Sequence, residues 1–72
     1  MNKLVIATNE DDWEGLYAEG VLVSEGHRLD RWYIIDMVHR FNEIPSRRVV
    51  DSDWLVGEGR LPNNIDEVRW AE

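Results

Sequence analysis

The apolar residues of this chain fall into short runs separated by polar clusters, and the spacing within each run predicts its element. Leu4-Val5-Ile6-Ala7 is a continuous apolar run with β-branched members, short enough for a strand over 3–8. Asn9-Glu10-Asp11-Asp12 interrupts it with four polar residues suited to a turn. The competing reading, a short helix capped by Asn9 and running to Ala18, is weakened by Gly15 and by the bulky Trp13 and Tyr17. Residues 13–25 read better as a hairpin about Glu19-Gly20. A two-residue turn there needs positive φ at glutamate, whereas a three-residue loop over 18–20 needs it only at Gly20. That loop pairs Tyr17 with Val21, Leu16 with Leu22, Gly15 with Val23 and Trp13 with Glu25. The face carrying Trp13, Tyr17, Val21 and Val23 is then the expected core face, with Leu16 and Leu22 keeping the opposite choice open.

The period changes after Gly26. Ile34, Met37, Val38 and Phe41 fall on one stripe at 3.6 residues per turn. Asp30 ahead of them is placed to cap free N–H groups, and Leu29 to staple onto Ile34. Asp36 precedes Arg40 by four residues, a favourable pair on a helix. A helix over 30–43, best marked from Arg31 to about Asn42 and ended by Pro45, is the clearest element in the sequence. Beyond it the pattern thins. Val49-Val50 suits a short added strand, and Asp51-Ser52-Asp53 opens one or two helical turns through Val56, stopped by Gly57 and Gly59. The stretch 65–70 fits either a helical turn capped by Asn64 or an edge strand. The expected fold is α+β: an antiparallel three-stranded β-meander (3–8, 13–18, 21–25) against one main helix. A C-terminal segment, short helix or irregular, wraps the remaining apolar surface of a single small domain spanning 1–72.

A domain of 72 residues hides only about 60% of the surface of its unfolded chain, so large anchors matter. The four tryptophans, Trp13, Trp32, Trp54 and Trp70, lie one per segment. Three are expected in the core and one at the surface, without the sequence saying which. Charge is distributed unevenly. Fifteen acidic residues stand against eight basic ones, a formal −7. Residues 1–26 hold −5, residues 27–50 hold +2 through Arg28, Arg31, Arg40, Arg47 and Arg48, and residues 51–72 hold −4. Nucleic-acid binding rests on a basic footprint, which an acidic chain with a single lysine lacks; pairing of the arginines with acidic neighbours is the simpler expectation. The absence of cysteine excludes disulfides, thiolate metal sites and thiol nucleophiles. With no apolar run of membrane-spanning length and no secretory leader pattern, a cytoplasmic protein is expected.

Catalytic chemistry finds little to work with. Asp51-x-Asp53 has the opening of a calcium loop, but Leu55 and Val56 occupy the fifth and sixth positions, where a ligand and a glycine belong. Helix capping explains Asp51 more simply. His27 and His39 are twelve apart, and neither has the i, i+4 partner of a zinc helix. Glu43 lies four residues past His39 and would favour its protonated form if the two met. No serine sits in a nucleophile elbow, and Gly57-Glu58-Gly59 lacks the third glycine and the following helix of a phosphate cradle. So short a chain is also not expected to build the ~300 Å³ concavity of a ligand site. No enzyme activity, cofactor or metal is expected.

What remains is contact. Trp32, Asp36, His39 and Glu43 fall on the side of the helix opposite its apolar stripe, one large aromatic among charges. Either this side meets a partner, or the C-terminal segment with Leu61, Val68 and Trp70 folds over it. Glu10, Asp11, Asp12 and Glu14 form the densest acidic cluster. The leading expectation is a small acidic, non-enzymatic protein that binds a larger protein. One version occupies the basic groove of a nucleic-acid-binding protein, with carboxylates at 10–14, 19, 25, 51, 53 and 58 standing in for phosphates, as inhibitors carried by phages or mobile elements do. The alternatives are a nucleic-acid module using the central arginines and a small subunit domain around His27 or His39. Leu16 and Leu22 on an uncovered sheet face would favour a homodimer.

Overall fold

The structure, a computed structural model, describes residues 3–71. Its centre is a four-stranded mixed sheet in the order β3-β2-β1-β4, built from β1 (Leu4–Thr8), β2 (Glu14–Ala18), β3 (Val21–Gly26) and β4 (Ser46–Val49). The first three strands form the expected antiparallel meander. The fourth corrects the three-stranded expectation: β4 adds to the free side of β1 and runs parallel to it, Val5 opposite Ser46 and Thr8 opposite Val49. The added strand expected at Val49-Val50 is realised here but begins earlier, at Ser46, because an edge position leaves one side of each residue in water and tolerates arginine.

The hairpin departs from expectation in register. Ala18 pairs with Val21 across a two-residue turn in which Glu19 (φ 52°) and Gly20 (φ 85°) both take positive φ. This is the type I′ pattern, whose twist suits the flanking strands. Only Gly20 takes it without cost; at Glu19 the strained conformation is accompanied by a 2.7 Å hydrogen bond from its N–H to the Lys3 carbonyl. A bulge beside Leu16 and Tyr17 then shifts the pairing, so that Tyr17 meets Leu22 and Leu16 meets Ser24. Leu16 and Leu22 therefore lie on opposite faces, each inside a core, and the uncovered leucine face expected to favour a homodimer does not form.

Both faces of the sheet are covered. Helix α1 (Arg31–Phe41) lies on one, where Leu4, Leu16, Ala18, Leu29 and Met37 are buried with Ile34 and Phe41 against them. The Asp30 side chain caps it as predicted, accepting from the Trp32 N–H at 2.9 Å. The helix ends at Asn42 in the left-handed region, three residues before Pro45, so its span is shorter than the expected 30–43. The other face is covered by helix α2 (Ser52–Glu58), capped by Asp51 and closed by Gly59, and by the chain that follows it. Here Val5, Tyr17, Val50, Leu55, Leu61 and Val68 are buried. Gly15 permits this cover: a Cβ there would collide with Leu61 and crowd Leu22.

Residues 60–71 cross this face as a strap fastened to both sheet edges. At the β3 edge, the Leu22 N–H donates to Asn63 O (2.8 Å) and the Ile65 N–H to Gly20 O (2.9 Å). A single 3-10 turn capped by Asn64 follows, Ile65–Glu67. At the β4 side Val50 bridges Trp70, and the Ala71 N–H donates to Val49 O (2.9 Å). The two readings of 65–70 are thus both realised, a helical turn first and a strand-like bridge after it. The strap also removes part of each unpaired edge, which limits edge-to-edge aggregation.

Candidate functional site

The acidic residues divide into two groups by what their oxygens do. Glu14 Oε1 accepts the Leu29 N–H (3.0 Å) just ahead of α1, and Glu43 Oε2 accepts the Leu4 N–H (2.7 Å) just beyond its end. These two half-buried carboxylates tie both ends of α1 to the sheet. Glu25 does the same for the strap, its Oε1 accepting from Leu61 N–H (2.9 Å) and Trp13 Nε1–H (3.1 Å). Asp51 is engaged in capping α2. Glu43 thus turns to the sheet, and not to His39.

The loop 9–13 is organised from within. Asn9 Oδ1 accepts from the N–H groups of Asp11, Asp12 and Trp13 at 3.0–3.1 Å, and Thr8 Oγ1 accepts from Glu10 N–H. Asp11 and Asp12 are exposed, Asp12 Oδ1 accepting from Asn9 Nδ2–H at 3.3 Å, while Glu10 pairs with Arg47 at 3.1 Å. Both members of that pair are more than half exposed, so it contributes little to stability. His27 is exposed, its ring edge-on to Trp13 (5.1 Å between centroids) and its Nδ1 3.1 Å from the Asp12 carbonyl. Burial, then the charges of Glu25 and Glu67, push the Tyr17 phenol strongly upward from its ordinary range. Its hydroxyl donates to the Pro62 carbonyl at 2.6 Å, a further clasp on the strap.

Three tryptophans, Trp13, Trp54 and Trp70, pack against the strap-side core; Trp70 also carries the Arg48 guanidinium 4.0 Å over its ring. Trp32 is 70% exposed. The C-terminal segment covers the opposite face of the sheet, so it does not fold over this side of α1. Beside Trp32 on the outer face of the helix are Ile35, 40% exposed, and the exposed Arg31, Asp36, His39 and Arg40, with Arg28 just ahead. Of the central arginines, Arg47 pairs with Glu10 as expected, whereas Arg28, Arg31 and Arg40 have no ion pair within 4 Å among the described residues. Because Glu14 ties the start of α1 to the end of the loop 9–13, Trp32 and the exposed Asp11 and Asp12 occupy the same end of the sheet.

The chain has more concavity than its length led us to expect. A groove of about 950 Å³ opens beneath the strap between the β2–β3 turn and β4, lined in part by Lys3, Val5, Glu19, Arg48, Ile65 and Asp66. It gathers neither histidine and none of Glu10, Asp11, Asp12, Glu14, Trp32, Asp36 and Glu43; of the contact residues read from the sequence it takes in Glu19 and Arg48. Among the described residues, no group of three or more histidines and carboxylates is placed to hold a metal ion, and no helix is long and apolar enough to cross a membrane. No family model matches the sequence, and no curated protein or solved structure is similar to it.

Proposed function

We propose that this chain is a small non-enzymatic binding protein that docks a larger protein through the outer face of α1, with Trp32 as the anchor. The observation that carries this reading is the placement of one indole. Leaving a tryptophan in water forgoes a large burial gain, since each indole hides about 150–250 Å² when packed, and this fold packs the other three. Tryptophan is also the residue most enriched among contacts that dominate binding energy.

The version in which carboxylates imitate a phosphate backbone has less support. Of its carboxylates, Glu14, Glu25 and Asp51 accept internal hydrogen bonds and Glu10 pairs with Arg47. The exposed remainder is divided between the loop 9–13, the β2–β3 turn and α2.

The experiment is a tagged pull-down from nuclease-treated lysate of the native host, with wild-type chain and Trp32→Ala as parallel baits, washed at low and high salt. The expected result is one stoichiometric protein held by wild type at both salts and lost from the variant. A partner that Trp32→Ala retains overturns the reading, and one that also leaves in high salt and itself binds nucleic acid puts charge mimicry in its place.

A further inference from the structure

The outer face of α1 differs in charge from the rest of the molecule. Residues 28–42 carry Arg28, Arg31 and Arg40 against Asp30 and Asp36, a balance of +1, which leaves −8 for the remainder of a chain of −7. Asp30 is engaged as the helix cap, so Asp36 is the only carboxylate on α1 itself. All three guanidiniums are exposed and have no ion pair within 4 Å among the described residues. They bracket an apolar contact: Trp32 and Ile35, at i and i+3, are neighbours on the helix surface. At physiological salt, charges act over about 8 Å. A partner docked over Trp32 and Ile35 therefore meets these guanidiniums and Asp36 directly.

Resting on the reading of Trp32 as an anchor, we infer that the outer face of α1 receives an acidic amphipathic segment of a partner protein. Apolar side chains of that segment cover Trp32 and Ile35, and its carboxylates meet Arg28, Arg31 and Arg40. Guanidinium–carboxylate pairs are directional and charge-assisted, which fixes the register of such a segment. A nucleic acid fits the same face less well. Trp32 gives a base one face to stack on, but nucleic-acid affinity comes from many neutralised phosphates, and three arginines with Asp36 among them offer few.

The test uses the full chain as bait for a displayed library of random peptides about 16 residues long, with a 20-nucleotide oligothymidylate titrated in parallel. Enriched peptides are expected to combine an excess of Asp and Glu with aromatic or branched apolar residues. Their binding should fall about tenfold or more with Trp32→Ala, and likewise with the triple change Arg28→Glu, Arg31→Glu and Arg40→Glu. A second triple variant, with glutamine at the three positions, removes the charge without reversing it and guards against misfolding, which circular dichroism monitors. Peptides that are neutral or basic, or that ignore both triple variants while still needing Trp32, overturn the acidic-segment inference and leave the Trp32 reading standing. Enrichment indifferent to Trp32→Ala, or no enrichment, overturns the inference, and indifference counts against the anchor as well. Tighter binding of the oligothymidylate than of any peptide overturns it in favour of a nucleic acid.

Discussion

The two faces of the sheet are covered by opposite means. On one side a single helix of eleven residues presents a regular apolar stripe and is tied down at each end by one glutamate. On the other, a two-turn helix, a single 3-10 turn and an extended strap together hold more of the large side chains, including three tryptophans. The helical side satisfies its backbone internally and needs outside partners only at its ends. The strap has no such economy: its backbone groups are matched to the β3 edge, to Val49 and Asp51, to Glu25 and to Tyr17. Irregular cover is thus possible in so small a domain because strand edges and side chains supply the hydrogen bonds that a helix would have made for itself.

That contrast breaks most readily at Leu61, which is 0% exposed and sits where Gly15 lets the strap approach the sheet. Leu61→Ala removes the packing and leaves a cavity that a strap held at both ends cannot collapse. A cost of about 2–5 kcal/mol is expected, a large share of the roughly 4–10 kcal/mol available to a domain of this length. Urea unfolding followed by tryptophan emission measures it. A loss below about 1 kcal/mol would mean that the strap is not part of the cooperative unit.

The same contrast decides what was legible in the sequence. The stripe Ile34, Met37, Val38 and Phe41 and the cap Asp30 announced α1, because a helix encodes its cover locally. Only its end was misread, since Asn42 adopts the left-handed cap before Pro45 is reached. The strap has no period of its own, and its anchoring partners lie 36 and 45 residues away in sequence. The hairpin was visible but its register was not: the bulge at Leu16/Tyr17 carries no residue signal, and Glu19 adopts a φ that its type disfavours. Strand β4 was read only at its end, as an added strand at Val49-Val50, because Ser46-Arg47-Arg48 carries no apolar alternation. At the candidate site the placement of Trp32 was one of two open readings. The roles of Glu14 and Glu43, by contrast, depend on reaching N–H groups 15 and 39 residues off and could not be read from spacing.

Tyr17 sharpens the comparison through a single oxygen. Tyr17→Phe keeps the ring in the strap-side core and deprives the Pro62 carbonyl of its donor, at an expected cost of about 1–2 kcal/mol near neutral pH. The titration gives a second readout. An unfolded tyrosine ionises near pH 10, whereas the buried phenol holds its proton to higher pH. Above about pH 10 the native state therefore binds more protons than the unfolded state, and stability falls as pH rises. Below that value both states are protonated and the group contributes no slope. Chemical denaturation between pH 8 and 11 should show an alkaline decline in wild type that is shallower in Tyr17→Phe. Parallel declines would mean that other groups, lysine or the remaining tyrosine, set the alkaline limit.

The smallest expected effect is on the helical side, at the residue the proposed function relies on most. Trp32 lies on the face of α1 turned away from the sheet, and its removal takes nothing from either core. Alanine is also the better helix former. Trp32→Ala should therefore change unfolding free energy by no more than about 0.5 kcal/mol, in either direction. Equivalent truncations of Trp54 or Trp70 on the strap side, where the rings pack against buried residues, should cost several times more. The comparison separates folding from binding: a tryptophan that stability does not require, on a helix already anchored by Glu14 and Glu43, is available to a partner without loosening the fold. A loss of more than about 1 kcal/mol on Trp32→Ala would show instead that the indole shields the N-terminal turn of α1. The exposed face would then be part of the helix's own support and not a surface held open for contact.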